Sequence, residues 1–259
     1  MPFQTDSSAP AARPRRFLLL LSSAALLALA GCAGQDINQS MAQVLGAMQQ
    51  TGMAGALSES DIVKGLREAL AQGTTRAINQ LGRTDGFWGD ASVRIPLPDN
   101  IARFEKTLRQ FGQGAAVDEF HLTLNRAAEQ AVPQVADIFG NAVRQMSIDD
   151  ARNILAGSDD AATQFFRRTE SDALYARILP IVSNATARVG VTQKYKAMIA
   201  SYGPMLQIAG VKNTDLDAYV TGKALDGLFS GIAAEEARIR HDPAARTSDI
   251  LRRVFAGSR

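Results

Sequence analysis

Residues 115–146 read AAVDEFHLTLNRAAEQAVPQVADIFGNAVRQM. Within them Val117, Phe120, Leu124, Ala128, Ala131, Val135, Ile138 and Ala142 recur at helical steps and trace one apolar stripe. That spacing belongs to a 3.6-residue period; a strand would alternate every second residue. Pro133 interrupts the run. It has no N–H to donate and its ring clashes with the preceding turn, so the long helix should kink or divide there.

The same period extends in both directions. Ser147 and Asp150 form a capping-box-like start for a helix over 148–156. Gly157-Ser158-Asp159 should end it and open a helix from Asp160 to Arg168. Ser171-Asp172 should open another, with Leu174, Ile178, Val182, Ala185 and Val189 inward and a kink at Pro180. Val191, Tyr195, Met198, Ile199 and Tyr202 suit a further helix, closed by Gly203-Pro204. A long amphipathic helix is expected from Asp215 to Arg240, broken by His241-Asp242-Pro243. Thr247 or Ser248 should cap a last one.

Towards the amino terminus, Ser60 is the expected N-cap of a helix carrying Ile62, Leu66, Leu70, Ala77 and Leu81, with Gly82 as its terminator. Residues 82–99, GRTDGFWGDASVRIPLPD, are the irregular part. Val93, Ile95 and Leu97 alternate, but Pro96 and Pro98 keep them out of a central strand, so this segment should lie against helices. Asp99 should cap a helix with Ile101, Phe104, Leu108 and Phe111. No repeat of 20–50 residues recurs. The expected fold is all-α: a single domain of about eight to ten amphipathic helices over residues 58–259, with one irregular loop at about 82–99.

Composition bounds the function. The chain has 259 residues, 46% of them apolar, with one Cys, one Trp and two His. It is globular in type, neither disordered nor disulfide-rich. Of its 28 basic and 26 acidic residues, three and one lie in the first thirty-one positions, which leaves 25 of each. A neutral body argues against nucleic acid as a main partner, since that affinity comes from neutralising phosphates.

The first thirty-one residues read as an export signal. Arg13, Arg15 and Arg16 precede the apolar run FLLLLSSAALLALA at 17–30, which is too short to span about 30 Å of hydrocarbon. Leu29-Ala30-Gly31-Cys32 then resembles the bacterial lipoprotein box. Ala30 and Gly31 let an extended backbone enter a peptidase, and the Cys32 thiol takes a diacylglyceryl group as a thioether. Cys32 is thus the candidate lipidation site. Arg15-Arg16 stands directly before Phe17-Leu18 without the spacer of a twin-arginine signal, so the general secretory route is expected. Two or more acyl chains give stable attachment. Ala33 follows the Cys where the usual inner-membrane retention signal has Asp. The expected location is therefore the outer membrane, on its periplasmic face. Residues 32–57 should be a tether, partly helical through Ile37, Met41, Val44, Leu45 and Met48 but weakened by its glycines.

Six separated stretches carry a family resemblance: 95–99 (IPLPD), 125–131 (NRAAEQA), 157–167 (GSDDAATQFFR), 189–192 (VGVT), 223–229 (KALDGLF) and 242–247 (DPAART). In this order they resemble one bacterial family, domain of unknown function 4197, whose members are exported or lipid-anchored proteins of two-membrane bacteria. The resemblance covers about residues 58–256. It implies no assigned reaction, cofactor or catalytic residue.

A search for chemistry along the chain yields little. His121 follows Asp118 at i, i+3 and His241 stands beside Asp242, but neither makes a di-iron or zinc motif. There is no nucleophile elbow and no phosphate-cradling glycine loop. No catalytic residue, metal ligand or cofactor is assigned. Gly86-Phe87-Trp88-Gly89 reads as a turn with a packed aromatic pair. Three polar clusters remain: Asn125, Arg126 and Glu129 mid-helix; Asp159, Thr163 and Arg167 at i, i+4, i+8; and the acids and arginines between Asp226 and Arg246. Ion pairs, caps and solvated faces are their ordinary use. As ligand-contacting candidates the residues are Arg126, Glu129, Asp159 and Arg167.

Three functions are weighed. The first is a lipid-anchored binding or scaffold module of the cell envelope, with the membrane as partner through its N-terminal lipid and an envelope protein as a second. The next is a carrier of an apolar ligand in an inter-helix pocket. The last is an enzyme whose site is built from the Arg126/Glu129 or Asp159/Arg167 groups.

Overall fold

Ser58, not Ser60, starts the first helix, α1 (Glu59–Gly82). Its backbone is extended, and its hydroxyl accepts the Asp61 N–H at 3.1 Å. The acids Glu59 and Asp61 sit in the first turn, at the positive end of the helix. The chain is seen here as a computed structural model that describes residues 57–103, 105–197, 200 and 215–256, all within the unit Leu57–Arg259. The expected leader, Cys32 and the expected tether up to residue 56 lie outside the described residues, as do Phe104, Met198, Ile199, Tyr202, Gly203 and Pro204.

After the irregular segment come two short helices, α2 (Asp99–Ala102) and α3 (Glu105–Gln110), where one was expected. Pro98 rather than Asp99 is the residue before the first turn. The central run divides as Pro133 requires: α4 (Gly114–Ala131), a 3-10 turn (Val132–Val135) and α5 (Ala136–Gln145). Next is α6 (Ile148–Ala156), whose capping box is complete: the Ser147 hydroxyl accepts the Asp150 N–H, and the Asp150 carboxylate accepts the Ser147 N–H.

Two helices were expected between Asp160 and Val189; the structure has one continuous helix, α7 (Ala161–Ala187), with Pro180 inside it. Ser171 does not cap. Its hydroxyl donates to the Arg167 carbonyl one turn back, at 2.5 Å. Phe166, Leu174, Ile178 and Val182 meanwhile keep one buried stripe running through the junction. Residues 190–197 are helical. The chain continues with α8 (Leu216–His241), capped by Asp215, a 3-10 turn (Pro243–Ala245), and α9 (Asp249–Val254), capped by Ser248.

The described residues are helical with no strand, so the fold is all-α. The central element is α8, packed between α7 and α1; α4 covers α7, while α5 and α9 cover α1. Phe87, Phe139, Phe166 and Phe229 fill the interior, with Phe139 and Phe166 edge to face at 5.2 Å. Ile95 and Leu97 are buried against the helices, as their alternation implied. Among the described residues no helix is long and apolar enough to cross a membrane.

Candidate functional site

The irregular segment 83–98 is held to α4 by side chains on the side of that helix turned toward it. Glu129 is 4% exposed. Its Oε1 accepts the backbone N–H groups of Phe87 and Trp88, each at 3.1 Å. Its Oε2 accepts from Arg126 at 2.6 Å. Arg126 in turn donates to Asp85 at 2.7 Å. These two carboxylates raise the Arg126 pKa, Glu129 contributing most. Asp85 has φ 64, the left-handed region that Asp tolerates better than bulkier residues. One turn earlier, Asn125 pairs with both backbone groups of Ile95: its Oδ1 accepts the N–H at 2.8 Å and its Nδ2 donates to the carbonyl at 3.0 Å. His121 Nε2–H donates to the same carbonyl at 2.8 Å.

These contacts satisfy a non-helical backbone next to the core. Phe87 can then enter the interior beside α8. A Cβ at Gly227 would stand 2.6 Å from the Phe87 ring, so the close approach needs glycine there. Trp88 stays half-buried, edge-on to His121 at 5.0 Å and under the Arg94 guanidinium at 5.0 Å. Phe87 and Trp88 are therefore not a packed pair: one ring goes in and the other stays at the surface. Tyr219 of α8 clamps the end of the segment by donating to the Pro96 carbonyl at 3.0 Å. Burial first, then the Asp99 charge, push its hydroxyl pKa up to about 12.

A second buried carboxylate works the same way. Glu236 of α8 accepts the N–H groups of Ala162 and Thr163 and the Thr163 hydroxyl, all at 2.9 Å. It thereby fills the vacant donors at the start of α7. Arg240 pairs with Glu236 at 3.0 Å and reaches the Ile154 carbonyl at the end of α6. Arg246 closes α8 by donating to the carbonyls of Ile239 and Arg240. At the other end of α8, Asp217 meets Lys196 at 2.8 Å and the Thr186 hydroxyl at 2.7 Å. Burial would raise the Asp217 pKa, but hydrogen bonds from Lys196, Thr186 and Ser183 outweigh it and hold the carboxyl low.

Of the four candidate ligand-contacting residues, Arg126 and Glu129 come together, but as a clamp on the segment. Asp159 lies off the helix, whereas Thr163 and Arg167, at i and i+4 of α7, both face α8. Asp159 lies before the first turn of α7 and pairs with His241 at 2.8 Å on the surface. Arg167 stacks over Phe229 at 4.5 Å and stands 3.7 Å from Asp226. Thr163 points inward to Glu236. No described residues form a group of three or more His, Cys, Asp or Glu side chains able to hold a metal.

Three recesses among the described residues differ in kind. An interior gap among Leu66, Leu70, Ile232, Ile239 and Phe255 has a volume of about 20 Å³, room for little more than a water. A polar cleft of about 360 Å³ lies between α1, α8 and the segment, with Gln80, Asp90, Ser92, Ser230 and Glu235 in its walls. Glu235 is already paired with Arg238 at 2.5 Å. An apolar groove of about 290 Å³ opens between α2, α3, α4 and the helical residues 190–197. Phe120 and Tyr195 are among its residues, their rings 5.4 Å apart. Phe111, on the turn between α3 and α4, is 79% exposed. Tyr195, Ile101 and Leu108 were visible as apolar helix positions, but no sequence spacing showed that three separate helices would leave a gap between them.

A family described as "Protein of unknown function (DUF4197)" matches residues 56–256. No curated protein and no solved structure matches the chain.

Proposed function

We propose, for a chain that belongs to the DUF4197 family of proteins of unknown function, that it is a lipid-anchored helical binding module of the cell envelope, held by Cys32 to the periplasmic face of the outer membrane. The observation that carries this reading is the order basic residues, fourteen-residue apolar run, Leu-Ala-Gly-Cys at positions 13–32. The buried polar groups favour binding over catalysis. Glu129 and Glu236 spend their oxygens on backbone N–H groups and arginines, so neither offers a free carboxylate to a reacting substrate.

The anchor is tested by growing a two-membrane bacterium that expresses the full chain in labelled palmitate. Label should enter the wild-type chain and not Cys32→Ser, which should leave the membrane fraction. Equal labelling of both, or of neither, removes the anchor. The binding role is tested by deletion: an unaltered envelope and no co-purifying partner or ligand would remove it.

A second reading, a carrier of an apolar ligand, is favoured by the groove lined by Val117, Phe120, Val191 and Tyr195. Its volume of about 290 Å³ is at the lower end of ligand pockets, which begin at roughly 300 Å³.

A further inference from the structure

We infer that this groove takes a free single-chain anionic amphiphile, its tail along the apolar floor and its acid group at Lys194. The inference rests on the carrier reading and adds to it the charge and chain number of the ligand. Three helical pieces supply the walls: Ile101 of α2, Leu108 of α3, and Val117 with Phe120 of α4. Val191, Lys194 and Tyr195, at i, i+3 and i+4, bring the helical residues 190–197 up to them.

Charge decides the ligand's sign. Among the described lining residues, Lys194 is the one ionisable cation and none is a carboxylate. Two basic groups on the neighbouring elements are already engaged, and Arg103 and Lys106 are not among the lining residues. Arg109 bonds to Glu105 and Asp118, and Lys196 bonds to Asp217. Lys194 is exposed and makes no ion pair with any described residue. An apolar trough with one unpaired ammonium among its described lining residues complements a chain that ends in an acid. A neutral ligand would leave that charge unused, and a cationic one would be repelled. Size decides the chain number, since a recess this small suits one tail and not the two of a phospholipid.

The test uses the exported chain from residue 32, carrying Cys32→Ser so that no detergent is needed. Dansyl-undecanoic acid is the probe. Its fluorescence should rise on binding, and dodecanoate should displace it while dodecyltrimethylammonium does not. Lys194→Glu should weaken binding about fivefold or more, a modest factor because the charge is exposed. Ala116→Phe fills the groove and should abolish the signal with an unchanged circular dichroism spectrum; if that variant does not fold, Val191→Phe blocks the opposite wall. Two outcomes overturn the inference. In one, the cationic amphiphile competes as well as dodecanoate; the carrier reading then survives and the anionic preference falls. In the other, vesicles of phosphatidylglycerol displace the probe and dodecanoate does not, so the face is a membrane contact. No probe binding at all removes the carrier reading with it, while palmitate labelling at Cys32 still judges the anchor separately.

Discussion

Replacing Glu129 by Ala should separate the irregular segment from α4 and destabilise the whole protein. The carboxylate takes two backbone N–H groups and one guanidinium. Without it the Phe87 N–H is left inside the protein with no acceptor, at about 1–3 kcal/mol. The Trp88 N–H is half-buried and loses less, about 1 kcal/mol. The space left by the missing side-chain atoms adds about 1 kcal/mol more. Together these reach about 3–5 kcal/mol, the range for breaking a buried charge pair and a large part of a typical domain's stability. Arg126→Ala should cost about 1–2 kcal/mol. Its side chain is 33% exposed, and Glu129 would keep both N–H donors. The assay is urea unfolding followed by the emission of Trp88, the chain's one tryptophan, which sits on the clamped segment. The midpoint should fall by about 1–2 M for Glu129→Ala. A loss below about 1 kcal/mol, or one no larger than that of Arg126→Ala, would refute the view that this carboxylate holds the segment.

Two further outcomes follow from the same geometry. Gly227→Ala places a methyl 2.6 Å from the buried Phe87 ring and should lose about 1–2 kcal/mol in urea unfolding, overpacking outweighing the gain in helix propensity. Gly222→Ala, on the same helix with nothing within 4 Å, should instead gain up to about 1 kcal/mol, and equal effects at both positions would contradict the packing described. Asp217 is the pH probe. Its carboxyl is held below its ordinary value of 3.8, so its contribution is complete above that pH and fades as the pH falls through the lowered value. The gap in Tm between wild type and Asp217→Asn should therefore be constant near neutrality and close on acidification below about pH 4; a gap that does not change with pH would show that Lys196 and Thr186 do not act through the charge.

The helices and the breaks between most of them were legible because local chemistry makes them. Pro133 removes one hydrogen bond wherever it stands, and the chain does tighten into a 3-10 turn there. Ser147 and Asp150 satisfy each other's termini without help from the rest of the molecule. Ser171-Asp172 shows where that logic fails. The residue types suit an N-cap, but a buried stripe from Phe166 to Val182 keeps the helix continuous, and the hydroxyl turns back onto Arg167. Ser60 lost the cap to Ser58 on a finer point, since both are good caps and only the extended backbone at Ser58 aims its hydroxyl at Asp61.

The polar clusters divide along the same line. Arg126 and Glu129 are three apart on a helix and were bound to meet. That Glu129 would also hold Phe87 and Trp88, more than forty positions away in sequence, has no local signature. One sign was present: Asn125 and Glu129 lie four apart, beside the apolar stripe of α4, where polar side chains need a partner from another part of the chain. Asp159 looked like part of one face with Thr163 and Arg167 only on the assumption that the helix includes it; the helix begins two residues later, and only Thr163 and Arg167 face α8 together.

By itself, then, the order of residues determined the helical period, the proline break and the complete capping box, because each depends on neighbours within a turn or two. Only the tertiary structure decided which charges are spent on backbone groups, that Phe87 goes inward while Trp88 stays out, and that an apolar groove remains beside Lys194. Those features depend on where separate helices come to rest against each other, and that placement is set by the summed packing of the core rather than by any one stretch of the chain.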